Sequence, residues 1–251
     1  MQQIKVIQEP TETKPFVVIQ KPSGLFSAPI RENETNNALV QAAKFFPEIL
    51  KVDGFFKKFE HGLLHRLDTE TEGLLLIATT QEFYNFLLKE QKEGNFFKYY
   101  EAKCLHILKN AELLEGFPPC PIEFTEANNF VDPKILKSFF RNYGKSSKSV
   151  RPVTQESGKS ALKKAGKKLE YSTEIKIQEI ENNIFKANCK ISAGYRHQVR
   201  CHLAWCGFPI IGDSLYNSEY NKNSNEKLLF RATEIEFKNP ITNKIEFYSI
   251  K

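Results

Sequence analysis

The feature that most constrains this chain is a run of apolar residues directly after a charged turn. Residues 61–78 read His-Gly-Leu-Leu-His-Arg-Leu-Asp-Thr-Glu-Thr-Glu-Gly-Leu-Leu-Leu-Ile-Ala. An apolar run of this length, following Gly73 and bounded by turn-forming residues, is typical of a fully buried strand. Asp68 is therefore predicted to lie at the entrance of that strand, where a rigid scaffold can aim its side chain.

These residues alone leave two interpretations of Asp68 open. In the structural one, Asp68 caps a turn and Gly73 only supplies a positive φ. In the functional one, Asp68 is a reactive carboxylate. Structural ion pairs are more frequent than catalytic ones, so the wider pattern of the chain has to decide.

The composition indicates a globular protein. The chain has 251 residues, 41% of them hydrophobic, which is enough for one large domain or two small ones. No stretch approaches the ~18 apolar residues of a membrane span, and the N terminus lacks the apolar segment of a signal peptide. The five cysteines form no Cys-x-x-Cys pair, which argues against a disulfide framework. We therefore expect a cytoplasmic protein that does not bind membranes.

The positive charge is concentrated in one stretch. Residues 133–168 contain eleven Lys or Arg and one acid, Glu156, a net charge of +10. The rest of the chain carries 25 basic and 29 acidic side chains, a net charge of −4. This stretch is predicted either to contact a polyanion such as RNA or to be a solvated, flexible insertion. Its middle, residues 143–168, has few large apolar residues and is expected to be disordered.

Strand and helix patterns alternate along the remaining chain. A capping-box pair, Thr79 and Glu82, and a terminal Gly94 mark the ends of one helix. The predicted strands cover residues 15–20, 96–107, 169–178, 184–191, 228–237 and 245–249, and a further helix covers residues 35–46.

A second dense group of polar residues occupies positions 194–213. It reads Gly-Tyr-Arg-His-Gln-Val-Arg-Cys-His-Leu-Ala-Trp-Cys-Gly-Phe-Pro-Ile-Ile-Gly-Asp. Val199, Leu203 and Cys206 form the apolar face of a short helix, which Gly207 and Pro209 end.

The same helix contains two His/Cys pairs with four-residue spacing, a pattern that can chelate zinc. They are His197 with Cys201 and His202 with Cys206. The two pairs point about 140° apart on a helix with 3.6 residues per turn, so they cannot form one site. No metal is therefore expected.

Together these stretches resemble the RluA-type RNA pseudouridine synthases. The His-Arg-Leu-Asp run, with Thr71 and Gly-Leu-Leu-Leu after it, resembles that family's catalytic motif. Lys-Pro-Ser-Gly-Leu at 21–25 resembles the opening of its catalytic domain, Lys-x-Tyr-x-Ala at 98–102 its second motif, and residues 194–213 its third. The resemblance runs from about Pro15 to the end of the chain, interrupted mainly by the basic stretch.

Two positions depart from the family pattern. Glu72 stands where the family usually has serine before the glycine. Tyr195 stands where an arginine usually follows glycine, and Arg196 comes one place later.

The resemblance implies roles for seven side chains. Asp68 would be the essential catalytic carboxylate, Arg200 its ion-pair partner, and Tyr100 the tyrosine of the second motif, an aromatic platform for the target base. RNA contacts are implied for His65, Arg66, Arg196 and His197.

The resemblance also implies an α+β fold, with a mixed, mainly antiparallel β-sheet flanked by helices and a central catalytic cleft. One catalytic domain is expected over residues 1–251, with its core in 15–132 and 169–251 and the basic insertion at 133–168. No separate N-terminal RNA-binding domain is expected. The implied reaction isomerises uridine in ribosomal or transfer RNA without a redox step, so neither a cofactor nor a metal is required. A monomer is expected.

A non-catalytic RNA-binding or RNA-folding protein on the same scaffold remains the alternative. Binding alone requires none of Asp68, Tyr100 and Arg200, so their joint presence favours the enzyme. A glycosidase usually needs two carboxylates, and no second candidate stands out. The sequence also leaves open whether Asp68 attacks the ribose, attacks the base or takes a sugar proton.

Overall fold

The computed structural model describes residues 2–55, 57–107, 114–122, 124, 132–165, 169–219 and 226–250. The chain forms two compact units, one made of residues 1–99 and 231–251 and the other of residues 100–230. Two strands, β4 (Phe97–Leu105) and β9 (Phe230–Lys238), each have residues in both units. The expectation of a single catalytic domain stays a prediction.

The first unit is built on a mixed sheet. Its remaining elements are β1 (Lys5–Gln8), β2 (Phe16–Lys21), α1 (Ala38–Phe45), β3 (Glu72–Ala78), α2 (Gln81–Glu93) and β10 (Ile245–Ser249), with two short 3-10 helices at Pro47–Lys51 and Lys58–Glu60. β2 pairs antiparallel with both β1 and β3, and β10 pairs antiparallel with β9. β3 runs parallel to β9, which makes the sheet mixed.

The buried strand predicted from the apolar run is confirmed. All five residues from Leu74 to Ala78 are 0% exposed. They belong to a core that also contains Phe16 from β2, Phe83 from α2 and Phe237 from β9. Continuous burial of both faces explains why this strand shows no polar alternation.

Gly73 has a backbone role beyond its positive φ of 144°. A Cβ at this position would lie 2.3 Å from the carbonyl oxygen and 2.6 Å from the nitrogen of Ala232 on β9. Only glycine therefore allows β9 to approach the start of β3 so closely.

Helix α2 begins one residue later than the capping box predicts. Thr80 is the N-cap, and its Oγ1 accepts a hydrogen bond from Phe83 N–H at 3.4 Å. Thr79 instead donates its N–H to the carbonyl of Pro15 at 3.0 Å, which continues the sheet. The C-terminal signal is confirmed, since Gly94 is the C-cap in the left-handed conformation.

The second unit contains a sheet and two short helices, and three neighbouring strand pairs of the sheet are antiparallel. Its elements after β4 are β5 (Lys134–Tyr143), β6 (Ser149–Val153), α3 (Lys159–Lys164), β7 (Tyr171–Glu181), β8 (Ile184–Ile191) and α4 (Gln198–Trp205). The strand order is β6-β5-β7-β8-β4, and the predicted β7–β8 hairpin is confirmed.

Within the described residues, the basic stretch contains regular structure at β5, β6 and α3, and its expected flexibility stays a prediction. β5 and β6 form a hairpin in which Phe139 faces Val153, and every residue of β6 is buried. Val150 packs against Phe140 and Tyr216. Cys201 and Tyr216, which are distant in sequence, complete this cluster. The stretch can therefore fold although it has few large apolar residues of its own. Residues 166–168 lie outside the described residues.

The α+β class predicted from the sequence is confirmed, with a mixed, mainly antiparallel sheet and few helices. The closing hairpin is also confirmed, as β9 and β10. Across the described residues, no helix has the length and apolar character needed to cross a membrane.

Candidate active site

Asp68 lies half-buried in the loop that leads into β3. Its carbonyl accepts a hydrogen bond from Thr71 N–H at 3.1 Å, which closes a tight turn. The carbonyl of Thr69 accepts from Gly24 N–H at 2.7 Å and from Lys21 Nζ at 3.1 Å. The Lys-Pro-Ser-Gly segment thus holds the backbone that follows Asp68.

Lys21, the first residue of the Lys-Pro-Ser-Gly-Leu motif, is a buried cation close to Asp68. Its side chain is 0% exposed, and its Nζ donates to three backbone carbonyls, the shortest contact being 2.8 Å to Leu25. Burial lowers the pKa of Lys21 to about 8, while the negative charges of Asp68 and then Glu72 act to raise it. Lys21 therefore remains mostly protonated at neutral pH and offsets the negative charge of Asp68.

His65 is held against β3 by its ring. Leu76 N–H donates to Nε2 of His65 at 3.3 Å, and the ring packs edge-on against Phe96 with centroids 5.6 Å apart. Burial and then the positive charge of Lys98 lower the pKa of His65 to about 3, so the ring is neutral. These contacts anchor the loop, and an RNA contact by His65 stays a prediction.

Arg66 is more exposed than its neighbour His65. Its side chain is 59% exposed, and Nη1 lies 2.9 Å from Oε1 of Glu60. Glu60 is buried, with its side chain 8% exposed, so the ion pair holds one edge of the Arg66 guanidinium while the rest of that side chain faces solvent. This exposure supports the predicted RNA contact without testing it.

Alternate residues of β4 are buried, and two of them carry polar groups. Tyr100 is 8% exposed, and its ring stacks on Phe230 with centroids 5.2 Å apart and an interplanar angle of 14°. Lys98 is 4% exposed, and its Nζ lies 4.8 Å from the centroid of the Phe96 ring. Burial lowers the pKa of Lys98 to about 8. Because Phe230 covers one face of Tyr100, a base would have to stack on the opposite face.

Arg200 makes a two-point ion pair with Asp213. Nε lies 2.7 Å from Oδ2 and Nη2 lies 2.9 Å from Oδ1, with the two side chains 3% and 0% exposed. Oδ1 of Asp213 also accepts from the N–H groups of Leu215 and Tyr216, at 2.9 and 3.1 Å. Asp213 is the last residue of the third motif, and this position in the motif is the sequence signal that could have identified it as a functional residue. The predicted ion pair of Arg200 with Asp68 stays a prediction.

Two further residues fix the helix that carries Arg200. Gln198 Nε2 donates to the carbonyl of Ser172 and to Oγ1 of Thr173, at 2.9 and 3.0 Å. His202 is fully buried, with Nδ1 2.8 Å from Oγ1 of Thr173 and Nε2 2.9 Å from Oγ of Ser138. Burial lowers the pKa of His202 to about 3, so this ring is neutral.

His197 precedes α4 in the left-handed conformation, with φ 57°. Its Nδ1 lies 3.1 Å from the hydroxyl of Tyr216. The N-cap position therefore orients the imidazole toward that tyrosine, and the predicted RNA contact of His197 stays a prediction.

Tyr195 and Arg196, at the second departure from the family pattern, both contact other residues of the second unit. Nη2 of Arg196 lies within 3.1 Å of three oxygens, Oδ1 of Asn142 and the carbonyls of Ser147 and Ser149. The Tyr195 ring stacks on Phe140 with centroids 5.0 Å apart and an interplanar angle of 6°. Arg196 thus ties the start of α4 to the β5–β6 turn, and its RNA contact stays a prediction.

The cysteines of the two His/Cys pairs on α4 are arranged for packing. Sγ of Cys201 donates to the carbonyl of Val150 at 3.6 Å. Burial raises the pKa of both Cys201 and Cys206, so neither thiol readily becomes the thiolate that zinc binds. Within the ranges described, no three His, Cys, Asp or Glu residues are grouped as metal ligands.

The predicted site residues fall into two groups, one in each compact unit. The first unit contains His65, Arg66 and Asp68, and the second contains Tyr100, Arg196, His197 and Arg200. The sequence assigned no role to four buried polar residues of these units, namely Lys21, Lys98, His202 and Asp213.

Comparison with known proteins agrees with the motifs. The profile of the RNA pseudouridylate synthase family matches residues 15–205. An uncharacterized RNA pseudouridine synthase of Mycoplasma pneumoniae is 27% identical over 233 residues, covering 93% of this chain and 62% of that protein. A ribosomal large subunit pseudouridine synthase D of Buchnera aphidicola is 27% identical over 255 residues, covering 95% of this chain and 67% of that protein.

Two solved structures share the fold. Human RNA pseudouridylate synthase domain containing 1 aligns with a TM-score of 0.64 at 15% identity, covering 100% of this chain and 84% of that one. Human RNA pseudouridylate synthase domain containing 4 aligns with a TM-score of 0.60 at 16% identity, covering 98% and 88%. This chain spans between 45% and 67% of the length of the curated relatives it matches. Because the family profile matches well over half of its residues, the chain belongs to the RNA pseudouridylate synthase family.

Proposed function

We propose that this protein is an RNA pseudouridine synthase that converts specific uridines in ribosomal or transfer RNA to pseudouridine, with Asp68 as the catalytic carboxylate. The observation that carries the proposal is the family match over residues 15–205, which includes Asp68, Tyr100 and Arg200 within their motifs. The protein acts in the cytoplasm as a monomer.

The chemistry needs one carboxylate and conserves all atoms of the uridine. The N1–C1′ bond breaks, the uracil turns, and a C5–C1′ bond forms, while C5 loses a proton and N1 gains one. Asp68 attacks the ribose or the base, or takes a sugar proton. Its backbone is held by the segment that follows β2, so the carboxylate is aimed before substrate arrives.

The target uridine must leave its stack, which costs a few kcal/mol. Stacking on an aromatic ring such as Tyr100 offsets about 1–3 kcal/mol per base. In this proposal Arg66, which is exposed next to the loop, contacts the RNA backbone or fills the space that the uridine leaves. Arg200 supplies a fixed cation, because Asp213 holds its guanidinium in one orientation.

The first test is chemical mapping of pseudouridine in total RNA from cells with and without this gene, followed by reaction of the purified protein with the unmodified RNA. Asp68→Asn keeps the side-chain shape but can act neither as a nucleophile nor as a base. We expect it to abolish pseudouridine formation while folding and RNA affinity stay nearly unchanged. Glu70→Gln, two residues along at an exposed position, is the matched control and should stay active.

A second variant series concerns Arg200. Lysine keeps the positive charge but loses the planar, two-point geometry that Asp213 engages. We expect the wild type to be most active, Arg200→Lys weak and Arg200→Ala weakest. Arg196→Ala should mainly weaken RNA binding.

Two outcomes would overturn parts of the proposal. Full activity of a purified Asp68→Asn variant would show that another group performs the reaction. RNA binding by the wild type without pseudouridine at any position would favour the alternative, a non-catalytic RNA-binding protein.

A further inference from the structure

Ser27 makes two hydrogen bonds to the residue directly before Asp68. Its Oγ donates to the carbonyl of Leu67 at 2.8 Å and accepts from the N–H of Leu67 at 3.0 Å. Ser27 is 3% exposed and Leu67 is 8% exposed, so both hydrogen bonds are sealed from solvent. One hydroxyl therefore satisfies both main-chain groups of Leu67, which buried backbone requires.

Ser27 is itself fixed by helix α1. The carbonyl of Ser27 accepts from Leu39 N–H at 3.1 Å, and the carbonyl of the preceding Phe26 accepts from Ala38 N–H at 2.8 Å. The N-cap of this helix, Asn37, is fully buried and accepts from Val40 N–H through its side chain. The N-terminal end of α1 thus holds the backbone of Ser27, and with it the position of the serine hydroxyl.

The same segment also holds the backbone after Asp68. Gly24 N–H donates to the carbonyl of Thr69 at 2.7 Å, and Ser23 Oγ donates to the carbonyl of Glu70 at 2.7 Å. Hydrogen bonds from residues 23–27 therefore hold the backbone on both sides of Asp68. The Ser27 hydrogen bonds are the buried ones, whereas the Ser23 hydrogen bond is exposed to water.

We infer that Ser27 is a positioning residue, whose hydroxyl fixes the backbone of Leu67 and so sets the direction in which the Asp68 side chain leaves the chain. This inference rests on the proposed function, because the direction matters for the reaction only if Asp68 is the reacting carboxylate. Ser27 lies beyond the Lys-Pro-x-Gly-Leu motif, which ends at Leu25, so the resemblance assigned it no role.

The physical reason is that no water can replace the hydroxyl in a sealed site. Ser27→Ala leaves the N–H and the carbonyl of Leu67 without partners, and the loop relaxes to recover them. A displacement of about 1 Å at a reacting group can lower the rate on the order of a hundredfold.

The test compares three variants in steady-state pseudouridine formation. We expect Ser27→Ala to lower kcat by roughly 10- to 100-fold with KM for RNA nearly unchanged. Ser27→Thr keeps the hydroxyl and should regain most of the activity. Ser249→Ala, which removes one water-exposed side-chain hydrogen bond on β10, away from the Asp68 loop in sequence, is the matched control and should stay within about twofold of wild type. Should Ser27→Ala fail to fold, Ser27→Cys takes its place with the same expected loss, because its slightly larger thiol fills the site but forms only weak hydrogen bonds.

A second measurement is independent of activity. Amide hydrogen exchange should be faster in peptides covering residues 61–71 of Ser27→Ala than in wild type, and unchanged in peptides from α2. Wild-type kcat in Ser27→Ala would overturn the inference, whatever the exchange result. If the wild type makes no pseudouridine, the proposed function fails instead, and unchanged exchange in Ser27→Ala would then refute the role of the Leu67 hydrogen bonds separately.

Discussion

Arg200 and Asp213 form a buried two-point ion pair, with Nε 2.7 Å from Oδ2 and Nη2 2.9 Å from Oδ1. The same carboxylate accepts two backbone N–H groups, from Leu215 and Tyr216. Asp213 therefore fixes both an arginine on α4 and the turn that follows the third motif. A buried charge pair of this kind is costly to break, because each partner loses its compensation.

Asp213→Ala should lower the free energy of unfolding by ~3–5 kcal/mol, since it removes the buried carboxylate that pairs with Arg200 and accepts from two backbone N–H groups. Asp213→Asn keeps two acceptor positions on one oxygen and should cost less. Urea titration of both variants measures the effect, with the exposed Glu156→Ala as the control. A loss in Asp213→Ala no larger than in the control would contradict the importance of the pair.

Lys98→Met should remove a contribution to stability that grows as the pH rises above neutral. Burial lowers the pKa of Lys98 in the folded state to about 8, below its ordinary value of 10.5. Between these two values the unfolded chain binds more protons at Lys98 than the folded chain does, so the contribution of Lys98 to stability rises with pH. That contribution grows by roughly 2 kcal/mol between pH 7.5 and pH 9.5.

Lys21 and the buried thiols of Cys201 and Cys206 also have shifted pKa values, but they contribute equally to both proteins. We therefore expect the stability difference between the wild type and Lys98→Met to change by roughly 2 kcal/mol over this range. Chemical denaturation at pH 7.5 and about pH 9.5 checks this, because most tyrosines of the unfolded chain are still protonated there. An equal pH dependence of stability in the two proteins would show that Lys98 is not desolvated.

Charge reversal in the β5–β6 turn should weaken RNA binding. Lys145 and Lys148 are exposed, whereas Val150 and Val153 are buried, so point changes test the surface without removing core residues. We expect Lys145→Glu with Lys148→Glu to lower affinity and to reduce the log–log salt slope by ~0.7 to 0.9 for each phosphate group that the double variant no longer binds.

The control for this experiment is Lys5→Glu with Lys244→Glu, which changes the net charge equally at two exposed lysines of the first unit. Binding titrations over a range of salt concentrations give the slopes. Equal slopes for the two double variants would mean that the turn contributes only to the overall charge.

The sequence by itself determined those features that depend on residues close together in the chain. The apolar run after Gly73 predicted β3 because a continuous hydrophobic stretch must be buried on both faces. Gly94 predicted the end of α2 because only glycine adopts the left-handed C-cap at little cost. The spacing within three motifs predicted the family for the same reason, since each motif is a local pattern.

Only the tertiary structure decided which distant groups meet. Ser27 and Leu67 are 40 positions apart, and nothing in either segment predicts that one hydroxyl serves both main-chain groups of the other residue. The basic stretch shows the same limit on prediction. Val150 is buried in a cluster with Phe140 and Tyr216, which lie 10 and 66 positions away in the sequence, so its burial could not be predicted from its immediate neighbours. Burial and hydrogen-bond partners depend on which elements pack together, and a local pattern of residue types contains no such information.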